Sequence, residues 1–229
     1  MPLTKTRWKT IRSLRKKPHG IVFTTNADGE RIRIGGRLFG NVYLGRLHFT
    51  NGKTSRIAIK IFKAPLNDQK AKNYQRVIND LRKAGVRLPK MGMVKLPNDE
   101  WVQVSQLFDS THIFKIKTST ADEFRHLTLS QKIEAVQELT KVANAGYLPK
   151  GDLSEPFQGK SNGIIPMDID LIVRHGKQNI NERINILLSE IDWMVSNNVE
   201  KKKLVLTAIQ QAEPELRKLL ISHRTTVLK

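Results

Sequence analysis

The sequence predicts an α+β protein of two lobes, in which strands and helices are segregated along the chain. Short strand-like runs separated by turn residues, with one amphipathic helical segment among them, fill the first half. After His112 helical periodicity dominates, apart from two short apolar runs. A βαβ repeat would alternate the two element types, so this segregation favours an α+β architecture.

Strands are predicted from short strand-like apolar runs bounded by turn residues, with period-two alternation in Arg31–Ile34. Asn51-Gly52 is a strong hairpin signal, and Pro97–Asp99 is a second turn. The predicted strands are Ile21–Phe23, Arg31–Ile34, Asn41–Phe49, Arg56–Phe62, Gly92–Lys95 and Trp101–Phe108. Two later runs, Ile164–Met167 and Ile169–Val173, are predicted to form a pair of strands.

Helices are predicted where apolar residues recur every three or four positions. The first helix spans Asn67–Ala84 and ends at Gly85, and the second spans Ser130–Ala145, with Ser130 as its N-cap and Gly146 as its end. Two further helical regions are Ile180–Ser196 and Lys201–Ser222, the latter with a kink or restart at Pro214.

Chain length, cysteine content and the length of apolar runs exclude several classes of protein. The chain has 229 residues, enough for two small lobes around a cleft, and it has no cysteine, which excludes disulfides and cysteine nucleophiles. No apolar run approaches the roughly 20 residues that span a bilayer. The basic N-terminus is not followed by the apolar stretch of a conventional signal peptide, so no transmembrane segment and no conventional export are expected.

The net charge of +19, from 40 Lys and Arg against 21 Asp and Glu, would attract acidic partners. Seven basic residues lie between Lys5 and Lys17, inside a predicted basic arm at residues 1–19. The arm is either a solvated segment or a docking segment for an acidic partner. A nucleic-acid partner has no motif in its support, because aromatic residues that stack on bases are few.

A glycine-rich hairpin and a strand lysine are the first chemical signals. Gly35, Gly36 and Gly40 lie between two predicted strands, where missing Cβ atoms let phosphate oxygens approach the backbone. Lys60 follows Gly45 by fifteen residues and ends the run Ile57-Ala58-Ile59-Lys60. A strand lysine beside such a loop can contact phosphate as a point charge, although each feature alone also suits an ordinary hairpin or surface lysine.

Together these motifs resemble the protein kinase superfamily, whose G-x-G-x-x-G-x-V and V-A-I-K patterns are matched by Gly35, Gly40, Val42 and Ile57–Lys60. The resemblance implies a bilobal protein-kinase-like fold, with a β-rich N-lobe containing one helix at residues 20–110 and a truncated helical C-lobe at 111–229. It also implies ATP binding by Gly35, Gly36, Gly40, Val42, Ala58, Lys60 and, at the hinge, Gln106 and Phe108.

The second half contains acidic residues that extend the resemblance. Gly151-Asp152-Leu153 is similar to a kinase catalytic loop, so Asp152 would orient and deprotonate the attacking hydroxyl. Sixteen residues later, Asp168-Ile169-Asp170 resembles the metal motif, so Asp168 would hold Mg²⁺. Asn162 and Asp170 are the alternatives for the second metal ligand. Taken separately, each aspartate is more simply interpreted as an ordinary loop or turn residue.

Several positions depart from the family pattern. Arg37 stands at the place of the second glycine, Lys150 at that of the loop histidine, and Phe157 at that of the metal-binding asparagine. The helix glutamate that pairs with the lysine is replaced by Gln75, with Asp80 as a poorer candidate. The short C-terminal part is similar to minimal kinases among bacterial secreted effectors, or to RIO-type atypical kinases.

The resemblance implies ATP- and Mg²⁺-dependent phosphoryl transfer to Ser or Thr of a protein substrate, by Lys60 and Asp152. A small-molecule kinase is the alternative within the same class. A pseudokinase that binds a partner through its basic surface is the alternative from another class. The expected location is cytoplasmic, or a host cell if the protein is a secreted effector.

Overall fold

The computed structural model describes residues 20–36, 39–48, 54–107, 127–149, 157–158, 164–165 and 169–227. The strands are β1 (Ile21–Phe23), β2 (Arg33–Gly36), β3 (Gly40–His48), β4 (Thr54–Phe62), β5 (Met91–Lys95), β6 (Trp101–Gln106), β7 (Phe157–Gln158) and β8 (Ile164–Ile165). The helices are α1 (Asp68–Lys83), α2 (Leu129–Asn144), α3 (Asp170–His175), α4 (Ile180–Met194), α5 (Asn198–Gln211) and α6 (Pro214–Val227).

The described residues cluster into two compact units, and the chain is mixed α+β as predicted. The first unit comprises residues up to 78 together with 89–107. The second comprises residues 79–88 together with those from 127 onward. The predicted basic arm lies outside the described residues. Within the ranges that the structure describes, no helix is both long and apolar enough to cross a membrane.

The first unit is built on an antiparallel sheet of strand order β1-β3-β4-β6-β5, with β2 also paired to β3. These strands confirm the six predicted in the first half of the chain, with shifts of a few residues at their ends. On one face an apolar cluster packs around the central strand; its buried members are Ile21, Leu47, Ile57, Ile59, Val94, Leu96, Val102 and Val104.

Helix α1 confirms the predicted helix and begins at a polar cap. The Asn67 side-chain oxygen accepts a hydrogen bond from the Lys70 N–H at 2.8 Å, which satisfies a donor of the first turn. Gly85 follows the helix with a φ of 77°, a left-handed conformation that glycine adopts without a Cβ penalty. The predicted apolar face is confirmed, since Tyr74, Val77, Ile78 and Leu81 are all buried.

The second unit is mostly helical, and its helices are held by polar groups as well as by apolar packing. Helix α2 packs against α4 and α5. Its last residue, Asn144, donates to the Gln211 carbonyl at 3.1 Å and accepts from the Glu213 N–H at 3.0 Å. The amide of Asn144 therefore ties α2 to the connection between α5 and α6.

Three sequence predictions in the second unit are wrong. The N-cap of α2 is Thr128 and not Ser130, because Thr128 forms a reciprocal capping box with Gln131. The run Ile169–Val173, predicted as a strand, forms the N-cap residue and the first part of α3, and Ile169 and Ile172 are buried at helical spacing. Strand β8 pairs instead with β7.

The predicted long C-terminal helix is two helices. Asn197 caps α5 by accepting from the Glu200 N–H, so this helix begins three residues before the predicted Lys201. At the predicted site of a kink or restart, Pro214 is the first residue of α6. Proline suits that position because its missing N–H would have no partner in the first turn of a helix.

A buried lysine joins α2 to α5. Lys132 is 1% exposed, and its ammonium lies 2.9 Å from a carboxylate oxygen of Glu200. Glu200 also accepts from the Ser196 N–H at 3.0 Å. That backbone hydrogen bond, followed by the one from Lys132, holds the pKa of Glu200 below its usual value. The ionised carboxylate therefore stabilises the folded state.

Glu200→Gln should lower the free energy of unfolding at pH 7 by about 1–3 kcal/mol, because Lys132 stays buried without its anionic partner. Since the pKa of Glu200 is lowered on folding, this advantage of the wild type exists above the unfolded-state pKa of about 4.3 and shrinks as the pH falls through the lower folded value. Urea unfolding from pH 7 to pH 3 measures it.

Glu182→Gln is the matched control. Glu182 occupies the same position after the cap of α4, where Asn179 accepts from its N–H at 2.9 Å, but its side chain is exposed. Its substitution should change stability by less than about 0.5 kcal/mol. Equal losses from the two substitutions would show that the Lys132 contact contributes nothing.

Candidate functional site

Lys60 lies in the middle of a row of paired residues that crosses the sheet of the first unit. The register pairs Gly35 with Val42, Val42 with Lys60, Lys60 with Gln103, and Gln103 with Met93. Residues that pair directly across strands project from the same face. These five residues are called the Lys60 row below. They lie on one face of the sheet, and the apolar cluster that contains Ile57 and Ile59 lies on the other face.

Ala58 belongs to the adjacent row on the same face. It pairs with Leu44 on β3 and with Ser105 on β6. Val42, Ala58 and Lys60, three of the residues predicted to bind ATP, therefore share one face. Ser105 was not predicted from the sequence, and its only sequence signal was its position two residues after Gln103 on a strand.

Gln106 lies on the other face of the sheet. It pairs with Ile57, and its N–H donates to the Lys90 carbonyl at 2.7 Å. Its predicted adenine contact stays a prediction, and the side chain is on the face opposite Lys60. Phe108, the other predicted hinge residue, lies outside the described residues.

The glycine hairpin consists of the end of β2 and the start of β3. Gly36, the last residue of β2, pairs with Asn41. Gly40 is closely packed, because a Cβ there would overlap the Ile61 carbonyl oxygen. At Gly35 a Cβ would meet nothing closer than the Val42 Cβ at 3.9 Å. Gly40 is thus required by the sheet itself, whereas Gly35 is free of that steric constraint.

Helix α1 packs against the sheet through Tyr74 and Gln75. The Tyr74 ring packs edge-on against Phe62 with 5.0 Å between centroids, and the Phe62 ring lies 5.9 Å from the Lys60 ammonium. The Gln75 side-chain oxygen accepts from the Met93 N–H at 3.1 Å. Gln75 is thus bonded to the backbone of the outer strand β5, and its predicted contact with Lys60 stays a prediction.

Both acidic residues of α1 have partners of their own. Asp68 accepts from the Trp101 indole N–H at 2.8 Å and lies 3.5 Å from Lys95; the Trp101 bond and then the Lys95 charge lower its pKa. Asp80, the poorer candidate for the lysine partner, accepts from the Tyr147 hydroxyl at 2.8 Å and lies 3.7 Å from Lys177.

The bond from Tyr147 to Asp80 holds the segment that leads from α2 towards Asp152. Tyr147 is buried, forms a β-bridge with Lys177, and follows Gly146, whose φ of 90° ends the helix as predicted. The structure describes this segment up to Pro149. Asp152, the predicted catalytic base, lies outside the described residues.

A second set of polar contacts fixes the segment that follows α1. The buried carboxylate of Glu138 accepts from the Arg87 backbone N–H at 2.6 Å and from the Arg87 guanidinium at 3.1 Å. Lys141 lies 2.7 Å from the same carboxylate. A buried carboxylate is stable only with such partners. The two bonds from Arg87 to Glu138 therefore fix the segment after α1 to helix α2.

Of the three predicted metal ligands, the structure describes Asp170 alone; Asp168 and Asn162 lie outside the described residues. Asp170 is 2% exposed and stands in the first turn of α3. Its carboxylate is chemically suited to Mg²⁺, which prefers oxygen ligands. The described ranges contain no group of three His, Asp or Glu side chains arranged to hold a metal ion.

Comparisons with known proteins add no further assignment: no protein-family model matches the chain, and no curated protein matches it.

Gly40→Ala should destabilise the protein by about 1–3 kcal/mol, because the new methyl group collides with the Ile61 carbonyl and the strands must separate. Gly35→Ala should change stability by less than about 1 kcal/mol, since the new methyl group would make only an ordinary van der Waals contact with the Val42 Cβ. Thermal and urea unfolding compare the two. Equal stability of the two variants would contradict the close packing at Gly40.

Tyr147→Phe should cost about 0.5–1.5 kcal/mol, the net contribution of the lost hydrogen bond to Asp80. Urea unfolding measures it. Tyr43→Phe is a suitable control, because the Tyr43 ring packs edge-on against Phe23 and the contacts described for it include no hydroxyl bond. A Tyr147 variant as stable as this control would mean that the bond to Asp80 does not help to hold the segment.

Proposed function

We propose that this protein transfers the γ-phosphoryl group of ATP to a Ser or Thr hydroxyl of a protein substrate. The observation that carries the proposal is the position of Lys60. It lies on the same sheet face as Val42 and Ala58, in the row that reaches Gly35 of the glycine hairpin. A cation and an open glycine backbone on one face are suited to the phosphates of a nucleotide.

Each predicted residue has a distinct task in this proposal. The backbone of Gly35, Gly36 and Gly40 would cover the phosphates, and Lys60 would contact the α- and β-phosphates. Val42 and Ala58 would form an apolar surface for the adenine ring. Ala58 is 8% exposed and packed into the sheet, so it adds a flat surface without a long side chain.

The remaining tasks fall to the second half of the chain. Asp152 would accept the proton of the attacking hydroxyl, and Asp168 with Asn162 or Asp170 would hold the Mg²⁺ that neutralises phosphate charge. Phosphoryl transfer depends mainly on positioning and charge stabilisation, so a small domain can supply what it needs. The basic arm would dock an acidic region of the substrate.

A pseudokinase is the second candidate, and Gln75 is the observation that favours it. Gln75 stands where the resemblance places a glutamate, and its oxygen accepts from the Met93 backbone. An uncharged amide neutralises no charge on Lys60. In this alternative the sheet face that carries Lys60 serves only to stabilise the fold. The net charge of +19 then attracts an acidic partner.

The decisive experiment incubates purified protein with Mg²⁺ and γ-labelled ATP, alone and with a cell lysate. Lys60→Met should lower phosphate transfer at least about 100-fold, since removing one charge-stabilising donor typically costs that much. Asp168→Asn and Asp152→Asn should lower it by similar factors. Lys63→Met is the matched control, because Lys63 is exposed immediately after the same strand.

Three outcomes separate the candidates. Label that depends on Lys60 and Asp168 but not on Lys63 supports a protein kinase. ATP binding that raises the melting temperature, without any labelled protein, indicates a small-molecule acceptor. Neither labelling nor ATP binding, with salt-sensitive capture of an acidic partner, indicates the pseudokinase.

A further inference from the structure

Two arginines lie directly opposite each other on the sheet face that carries Lys60. Arg46 on β3 pairs with Arg56 on β4, and Val22 on the outer strand β1 pairs with Arg46. Side chains that pair directly across antiparallel strands leave the same face, with Cβ atoms about 4.5–5.5 Å apart. Because Arg56 and Lys60 are an even number of residues apart on β4, both project from that face. The set of Val22, Arg46 and Arg56 is called the arginine row below.

Two like charges directly opposite each other destabilise a sheet, and the surroundings of the arginine row do not compensate for them. Both arginines are exposed, and within the ranges that the structure describes neither guanidinium has a hydrogen bond or an ion pair. Their nearest same-face neighbours along β3 and β4 are Leu44, His48, Thr54 and Ala58. None of these four side chains is acidic. The arginine row is therefore a place of uncompensated positive charge.

The arginine row lies apart from the glycine hairpin and Lys60 on the same face. A strand rises about 3.3 Å per residue, so the Cα atoms of Arg56 and Lys60 are about 13 Å apart along β4. Ala58, the proposed adenine surface, lies between them. Gly40 pairs with Phe62 at the opposite end of the two strands. An anion centred on the two arginines therefore lies beyond the proposed adenine surface, away from the phosphates at Lys60.

The charge and the donor geometry of the two arginines fit a phosphate monoester. Each guanidinium presents a planar fork of N–H donors that matches two oxygens of one anion. A phosphate monoester has a charge of about −1.5 to −2 and three acceptor oxygens, so one such group can balance both arginines. A carboxylate or a phosphate diester has a single negative charge and can balance only one of them.

Val22 indicates that the phosphate belongs to a segment of protein. Its side chain is 48% exposed and lies in line with the two arginines, so it offers an apolar contact to a residue beside the phosphate. Nucleic acid would instead require aromatic side chains on which bases stack. None of the neighbours named above is a Phe, Tyr or Trp.

We propose that the arginine row docks a phosphorylated Ser or Thr residue of a protein partner. Arg46 and Arg56 donate hydrogen bonds to the phosphate oxygens, and Val22 contacts an apolar side chain next to the phosphorylated residue. The inference goes beyond the proposed phosphoryl transfer and does not depend on it. If both hold, the site recruits protein substrates that have already been phosphorylated once.

The test measures binding of a pool of short fluorescent peptides to the full chain by fluorescence anisotropy, without nucleotide. The peptides have a fixed central phosphoserine and mixed flanking residues, and matched pools have serine or glutamate at the fixed position. Wild type is compared with Arg46→Gln, Arg56→Gln and the double variant. Arg31→Gln is the matched control, because Arg31 is an exposed arginine of the same unit whose guanidinium lies 4.1 Å from the centroid of the Phe23 ring.

Arg46→Gln and Arg56→Gln should each raise the apparent Kd for the phosphoserine pool at least about tenfold, because each removes a charge-assisted hydrogen bond. The double variant should lose less than the product of the two single effects, because both arginines contact one phosphate. Arg31→Gln should change the apparent Kd less than about twofold. The glutamate pool should bind wild type at least about tenfold more weakly than the phosphoserine pool does.

Arg56→Glu separates a loss of binding from a loss of folding. It places opposite charges across β3 and β4, so its urea midpoint at low salt should exceed that of Arg56→Gln, and the difference should shrink at high salt. Phosphoserine binding should nevertheless be lost. A midpoint no higher than that of Arg56→Gln would show that the two side chains do not interact across the strands, which would overturn the shared site.

Three further results would overturn the proposal. Phosphoserine binding that is equally strong in Arg31→Gln and Arg56→Gln, or absent from wild type, would remove the site and leave the proposed phosphoryl transfer standing. Glutamate peptides that bind as tightly as phosphoserine peptides would replace the phosphate with a general acidic partner. A single-stranded oligonucleotide that binds more tightly than the peptides, with the same dependence on Arg46 and Arg56, would replace the protein partner with nucleic acid.

Discussion

The strict two-residue alternation of strand β4 is the constraint on which the first unit depends. Ile57 and Ile59 enter the apolar cluster, and this burial forces Ala58 and Lys60 onto the opposite face. A shift of one residue in the register would expose both isoleucines and bury the lysine ammonium. The hydrophobic energy of one face therefore holds the chemistry of the other face in place.

Helix α1 completes that face by satisfying the outer strand of the sheet. An outer strand leaves backbone donors unpaired, and Gln75 accepts one of them from Met93. Tyr74 adds an aromatic contact with Phe62, two residues after Lys60 on the same strand. A glutamine at this position therefore has a structural task of its own, which explains why a neutral side chain is suitable there.

Local sequence patterns predicted helices and strands correctly wherever the pattern is compatible with only one of these two structures. The period-two runs became strands, and the four apolar residues of α1 became its buried face, because each pattern matches a single geometry. Ile169–Val173 was different, since a short apolar run suits either a strand or a buried helix. Only the tertiary structure distinguishes the two possibilities. Strand β8 pairs with β7, and Ile169 and Ile172 are buried at helical spacing. Thr128 displaced Ser130 as the cap because Gln131 bonded back to it.

The sequence by itself determined the mixed α+β class, the glycine hairpin, the strand that carries Lys60 and the face on which that lysine lies, because these depend on residues close together in the chain. Only the tertiary structure decided which residues from distant parts of the sequence become neighbours. Gln103 becomes the neighbour of Lys60, Gln75 that of Met93, and Tyr147 that of Asp80. These partners are 18 to 67 residues apart in the two hydrogen-bonded pairs. Strand register and helix packing bring such residues together, and neither is encoded in a local window of sequence.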